Sequence, residues 1–223
     1  MKVSVVVPML DERQILPDLL EHLLALKRQG VEIVLVDGAS QDGSAALARD
    51  LGFPVLDAAR GRARQMNAGA QAASGDVLLF LHADTRLPMH AIASVQEALA
   101  RGAVWGRFDV RIEGKSPWLR VIAHLMNLRS RWSGIATGDQ AIFVTRAAFD
   151  AIGGFPDQPL MEDIELSKRL KRLSAPACLR GPAVTSGRRW EARGVWRTIL
   201  LMWRLRWAYW RGASAEILAE RYR

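Results

Sequence analysis

Between Lys2 and about residue 84, apolar positions alternate between two rhythms. Short, mostly apolar runs ("VSVVV" after Lys2, "IVLV" before Asp37, "VLLFL" before His82) have the length and β-branched content of strands covered on both faces. Between them, Ile15, Leu16, Leu19, Leu20, Leu23 and Leu26 recur at helical spacing, and Gly30 closes that helix. "SQDGSAALARDLG" adds a turn and helix, "FPVLDA" a short third strand, "RARQMNAGAQAA" another helix and "DVLLFLHAD" a fourth strand. Apolar strands alternating with helices predict an α/β protein whose central sheet is mostly parallel and flanked by helices. Such sheets bind ligands beyond the carboxyl ends of their strands, where Asp37 and Asp84 fall.

The second half is less regular. "VWGRFDVRI" and "QAIFVTR" read as strands and "MEDIELSKRLKRL" as a helix. Ser116-Pro117 opens a helix carrying Trp118, Val121, Ile122 and Leu125, with Arg120, Arg129 and Arg131 beside them. With no repeat, low-complexity tract or evident linker, we expect one domain over 1–190 and a helical appendage over 191–223.

The appendage holds "GVWRTILLMWRLRWAYWRG", in which Trp196, Ile199, Leu200, Trp203, Trp207 and Trp210 form one helical stripe. Arg197, Arg204 and Arg211 run along one flank and Arg206 lies on the other. The net charge is +8, and residues 188–223 contribute nine Arg against three Glu, so most of the excess sits here. Tryptophan with flanking arginine suits a helix lying in a membrane interface over residues 195–211; packing on the domain or on a second copy is the competing reading. Nucleic acid is not an expected partner, since the basic residues accompany tryptophans on one amphipathic helix and no recognised binding module is present. Cys178 is the only cysteine, so the chain forms no internal disulfide. The first residues read as a strand rather than a secretory signal. The expected location is cytoplasmic, peripheral at the inner face of the membrane if the tail meets lipid.

Several positions can carry chemistry. Asp84, at a strand end, can hold Mg²⁺ or Mn²⁺ together with substrate phosphates, or bond its own turn. Asp37 needs a hydrogen-bond partner at the sheet edge, which a nucleobase N–H or a backbone amide can supply. "GRARQMNAGA" sets Arg62, Arg64 and Asn67 at a helix start, a setting that attracts anions but lacks the Gly-Lys-Ser/Thr of a Walker loop. Glu162 and Asp163 open a helix, where the dipole favours the ionised carboxylate that a general base requires. Arg188-Arg189-Trp190 can hold a diphosphate or face solvent.

Taken in order, "VVVPMLDE", "VDGASQDGS", "GRARQMNAG", "LHAD", "TGDQAIF", "MEDIEL" and "GRRW" resemble family 2 glycosyltransferases of the GT-A fold, from residue 3 to about residue 190. The short length and the wording "GRARQMNAGA", "LHADT" and "GRRW" resemble a compact bacterial subfamily associated with arsenosugar biosynthesis. The resemblance implies an inverting, metal-dependent transfer from a nucleotide-diphospho-sugar donor to an acceptor hydroxyl, which a membrane-bound tail would make lipid-linked. It assigns Pro8 and Glu12 to the nucleoside pocket, Asp37 to the base, and Arg64 and Asn67 to the ribose or diphosphate. Asp84 takes the metal-binding place of the D-x-D signature, and Asp163, beside Glu162, that of the catalytic base. Gly138 and Asp139 fall on the acceptor side, and Arg188, Arg189 and Trp190 near the leaving diphosphate.

Two departures stand out. The D-x-D signature reads His82-Ala83-Asp84, which leaves His82 as a metal ligand, a ribose contact or a structural residue. The Q-x-x-R-W element reads Ser-Gly-Arg-Arg-Trp, without its glutamine. A sugar nucleotidylyltransferase would show a glycine-rich loop after the first strand, where this chain has "PMLDERQ". The glycine spacing of "VDGASQDGS" suits neither a dehydrogenase nor a methyltransferase. A non-catalytic module that kept the fold and binds membrane or protein is the alternative from another class.

Overall fold

A computed structural model of the chain describes residues 1–222. Its eight strands form one sheet in the order β3-β2-β1-β4-β7-β6-β8-β5. The first four in space are β3 (Val55–Asp57), β2 (Glu32–Asp37), β1 (Val3–Met9) and β4 (Val77–Phe80), and they run parallel. They are crossed over by α1 (Leu16–Arg28), α2 (Ser44–Asp50) and α3 (Arg62–Ala72). The period of two along each strand sorts its side chains. Val3, Val5 and Val7 pack with α1 on one face, whereas Val6, Leu78 and Phe80 pack with Ala63, Met66 and Ala70 of α3 on the other. Gly69 lets α3 approach closely: a Cβ there would collide with a Val6 methyl.

The other half departs from a parallel plan. β7 (Ile142–Thr145) is antiparallel to both β4 and β6 (Trp105–Glu113). β8 (Ala177–Ser186) then runs parallel to β6, and β5 (Thr85–Arg86) closes the edge antiparallel to β8. The fourth strand expected over 76–84 therefore ends at Phe80, and His82 to Asp84 form the turn into β5. β5, β8 and the helix α4 (Ala91–Ala100) are elements that the hydrophobic pattern does not single out.

Helices α5 (Trp118–Ser133), α6 (Arg146–Ala151) and α7 (Glu162–Leu170) follow β6, β7 and a loop. The tail forms α8 (Arg188–Arg193), α9 (Val195–Trp210) and α10 (Ala215–Tyr222). Val195 and Ile199 of α9 pack with Leu119, Ile122 and Ala123 of α5, and Leu205 joins Met161 and Leu218 in a separate cluster. The tryptophan side of α9 is left outside: Trp196, Trp203, Trp207 and Trp210 are exposed, the last to 80%. Trp118 and Trp196 meet edge-on at 4.8 Å, which joins this side to the exposed Val121, Leu125, Leu128 and Trp132 of α5. Among the described residues, no helix is long and apolar enough to cross a membrane.

Candidate active site

The site lies beyond the carboxyl end of β4. The main-chain N–H of Leu81 bonds the Val6 carbonyl, and the Thr85 N–H closes the turn on the His82 carbonyl at 3.0 Å. The edge pair β5–β8 then orients Asp84. Its main-chain carbonyl accepts from the Ser186 N–H at 3.2 Å, and its carboxylate accepts from the Thr185 hydroxyl at 3.5 Å. A 3-10 turn over Gly138–Gln140, boxed by Thr137 and Gln140, brings Asp139 to 3.3 Å from Nδ1 of His82. His82, Asp84 and Asp139 each offer a ligand atom, and these atoms lie within 4.8 Å of one another. Gly138 has to be glycine here, because a Cβ would collide with Nε2 of His82.

Two carboxylates and one imidazole are a donor set for a divalent cation. The oxygens suit Mg²⁺ or Mn²⁺ and the nitrogen suits the later transition metals. Burial opposes the charge on Asp139, yet the hydrogen bond with His82 and the charges of Arg62 and Arg189 hold its pKa below the usual value. It is therefore ionised, as a ligand must be.

Asp163 stands on the other side of the 3-10 turn, at the opening of α7. Its carboxylate accepts from the Gly138 N–H at 3.0 Å and the Ile164 N–H at 2.7 Å. Burial, and then the neighbouring charge of Glu162, raise its pKa to about 6, against the pull of these donors and of Arg62. Glu162 is buried and pairs with Arg62 at 3.2 Å, which ties the start of α3 to the start of α7. Met161, just before, takes a left-handed φ of 66°, uncommon for a residue with a side chain.

Glu12, in the loop after β1, lies within electrostatic reach of Asp84. Burial and the charge of Asp84 raise its pKa, while Arg189 and Arg188 pull it down. Arg188 lies 3.6 Å from its carboxylate. The two exposed arginines of α8 thus stand beside the Glu12 carboxylate, Arg188 paired with it.

The remaining sequence-derived positions are held differently. Asp37 is buried and bonded by the Ser40 N–H at 2.9 Å and hydroxyl at 2.5 Å, within its own loop. Pro8 is buried in β1 beside Val36 of β2. Asn67 has both ends of its amide engaged by the main chain of Phe155, at 2.8 and 2.9 Å. Arg64 pairs with Asp157 at 2.7 Å on the exposed rim. Trp190 packs with the α5 cluster. Asp139, expected on the acceptor side, has its carboxylate beside His82 and Asp84. Thr185 carries no signal in the sequence that ties it to the site, and the pairing of Arg62 with Glu162 is brought about only by the fold.

A mixed sheet of this order, with acids gathered beyond the parallel strands, defines the GT-A class of nucleotide-diphospho-sugar transferase folds. The model of "Glycosyl transferase family 2" matches residues 4–155. The chain belongs to that family. The undecaprenyl-phosphate 4-deoxy-4-formamido-L-arabinose transferase of Aeromonas hydrophila is 34% identical over 111 residues, 45% of this chain and 34% of the relative. The poly-beta-1,6-N-acetyl-D-glucosamine synthase of Staphylococcus aureus is 30% identical over 181 residues, 72% of this chain and 43% of the relative. The chain thus spans less than half the length of either. Among solved structures, the mannosyltransferase PcManGT of Pyrobaculum calidifontis with GDP-Man and Mn²⁺ aligns at a TM-score of 0.68 and 21% identity, covering 99% of this chain and 68% of its own. S. aureus TarS with UDP-GlcNAc aligns at 0.67 and 16% identity, covering 83% of this chain and 58% of its own. At these identities the likeness is one of fold.

Proposed function

We propose that the chain transfers a glycosyl group from a nucleoside diphospho-sugar to an acceptor oxygen, with inversion. The observation that carries this reading is the pair of clusters on either side of Gly138: three side chains that offer cation-ligand atoms on one side, and on the other a carboxylate with a pKa of about 6. His82, Asp84 and Asp139 would hold the divalent cation, and Arg188 and Arg189 the donor diphosphate. A bound cation supplies neutralisation of the charge that gathers on the leaving diphosphate. Asp163, ionised above pH 6, takes the proton of the acceptor hydroxyl as that oxygen attacks the anomeric carbon. Arg62 and Gly138 hold the base and its neighbour Glu162 in place. Pro8, Glu12 and Asp37 border the nucleoside end, with Arg64 and Asn67 stabilising the adjacent loop.

A lipid-linked acceptor and peripheral membrane contact through 195–211 complete the reading. The exposed tryptophan face of α9 supports them, as does the likeness to a relative named for undecaprenyl phosphate. The finer likeness to arsenosugar-associated transferases adds no residue to the site.

The test is thermal unfolding against UDP, GDP, CDP and ADP, each with and without Mn²⁺ or Mg²⁺. A ligand bound only by the folded chain raises the melting temperature by mass action. One nucleotide is expected to raise it in a cation-dependent manner that Asp84→Ala abolishes. A folded protein that responds to none of them would refute the donor site.

A further inference from the structure

Gln140 takes no part in the chemistry above, yet it is completely buried and its amide is engaged at both ends. Its Oε1 accepts from the Thr137 N–H at 3.2 Å and from the Thr137 hydroxyl at 3.5 Å. Its Nε2 donates to Oδ1 of Asn127, on α5, at 3.4 Å. Asn127 is itself fixed to β6: its Oδ1 accepts from the Val110 N–H at 2.8 Å, and its Nδ2 donates to the Val110 carbonyl at 3.0 Å. A run of hydrogen bonds from β6 through Asn127 thus ends on the 3-10 turn. The near end of the same segment is held by α7, where the Ser167 hydroxyl accepts from the Ala136 N–H at 3.1 Å. Ala141, directly after Gln140, is completely buried with a left-handed φ of 46°, a conformation that alanine keeps only where its surroundings impose it.

We propose that Gln140, anchored through Asn127, is a positioning residue that sets the candidate cation ligand Asp139 and the base's donor Gly138 together, so that the two halves of the site are made or lost as one. Both groups stand within two residues of it: the Gly138 N–H meets Asp163 at 3.0 Å, and Asp139 lies 3.3 Å from His82. A buried amide opposes folding unless it is bonded, and an apolar side chain of the same size would fill the space without that cost. What the amide adds is direction. Its hydrogen bonds tolerate little rotation of the turn, whereas packing alone tolerates more. The inference rests on the transfer reading for what the two halves do, and on the hydrogen bonds alone for the link between them.

The test is Gln140→Met in the full chain, which nearly keeps the volume and removes both sets of hydrogen bonds. Two quantities are read: the affinity for Mn²⁺ alone, from the paramagnetic resonance signal of the free ion, and the titration of the Asp163 carboxyl by carbon NMR, assigned by its loss in Asp163→Asn. Mn²⁺ is expected to bind at least about tenfold more weakly than to the native chain. The Asp163 midpoint is expected to move up from about 6 by about 1 pH unit, the equivalent of one hydrogen bond to a charged group. Asn127→Ala, which leaves Gln140 in place, is expected to move both quantities the same way by less, and it carries the test if Gln140→Met does not fold. In the double variant, Mn²⁺ affinity should fall no further than in Gln140→Met, since the two side chains act in series. Additive losses there would overturn the anchoring through Asn127. A lowered melting temperature with both quantities unchanged would make Gln140 structural and overturn the proposal, as would a change in one quantity alone or no Mn²⁺ binding by the native chain. Neither quantity needs a nucleotide, so calorimetry with UDP and GDP tests the transfer reading separately: a chain that binds neither, yet shows the joint change, fails that reading and keeps the positioning role.

Discussion

Replacing Asp163 by asparagine separates two consequences of its surroundings. The carboxyl has a pKa of about 6 in the fold against an ordinary value of 3.8. A raised pKa means that the fold resists the charged form. Its contribution to stability is therefore intact below about pH 4 and is lost as pH rises through 6. The shift corresponds to about 3 kcal/mol above pH 7 and about half that at pH 5, at roughly 1.4 kcal/mol per pH unit. The amide that replaces it carries no charge to bury, so that penalty disappears. Against this, the asparagine amide can accept from only one of the Gly138 and Ile164 N–H groups, a loss of about 1–2 kcal/mol that does not vary with pH. The stability of Asp163→Asn relative to the native chain should thus improve by about 1.5 kcal/mol between pH 5 and pH 8. Transfer should fall by about 10²–10⁴-fold with nucleotide affinity retained. Urea unfolding at the two pH values, calorimetry of the nucleotide and a transfer assay together read all three quantities. A stability difference that is the same at both pH values would refute the burial argument, and lost nucleotide affinity would make Asp163 structural.

Gly138→Ala leaves the backbone conformation accessible but drives a methyl into the His82 imidazole. Mn²⁺-dependent nucleotide binding should weaken by at least about tenfold, or about 1.4 kcal/mol, by titration calorimetry; unchanged affinity would remove His82 from the cation site. Asn67→Ala strands the Phe155 N–H and should cost about 2 kcal/mol, seen as a melting temperature about 4–8 °C lower. Substituting Trp203 and Trp207 by serine should reduce flotation with vesicles containing phosphatidylglycerol by at least about tenfold, with little change in melting temperature, because both side chains are exposed. Undiminished flotation would argue against the tail as the membrane contact.

The parallel half of the sheet was legible because strands covered on both faces give runs such as "VLLFL" that no polar residue interrupts. β8 was not, since Gly181-Pro182 looks like a turn. The pairing absorbs it by slipping register, with Phe108 opposite Leu179 and Asp109 opposite Pro182. α4 is alanine-rich and offers little contrast between its faces. In the candidate site, Asp84 and Asp163 were marked by their places at an element's end and by motif order. Arg62 was visible in "GRARQMNAGA", but its partner was not, because the pairing depends on closeness in space: Arg62 meets Glu162 from 100 residues away. His82 became interpretable only when Asp139 arrived beside it from a separate loop.

The cluster joining Leu205 and Leu218 to Met161 gives the tail a second part to play. Met161 holds a left-handed backbone conformation one residue before Glu162 and two before Asp163. α9, which presents tryptophan outward, therefore also packs from its inner side, together with α10, on the residue that leads into the acidic pair. Cutting the chain ahead of α9 would strip cover from Met161 as well as remove the tryptophans of α9. A force applied to the outer face has a short mechanical route to the base: through α9 to Leu205, from there to Met161, and into the first turn of α7.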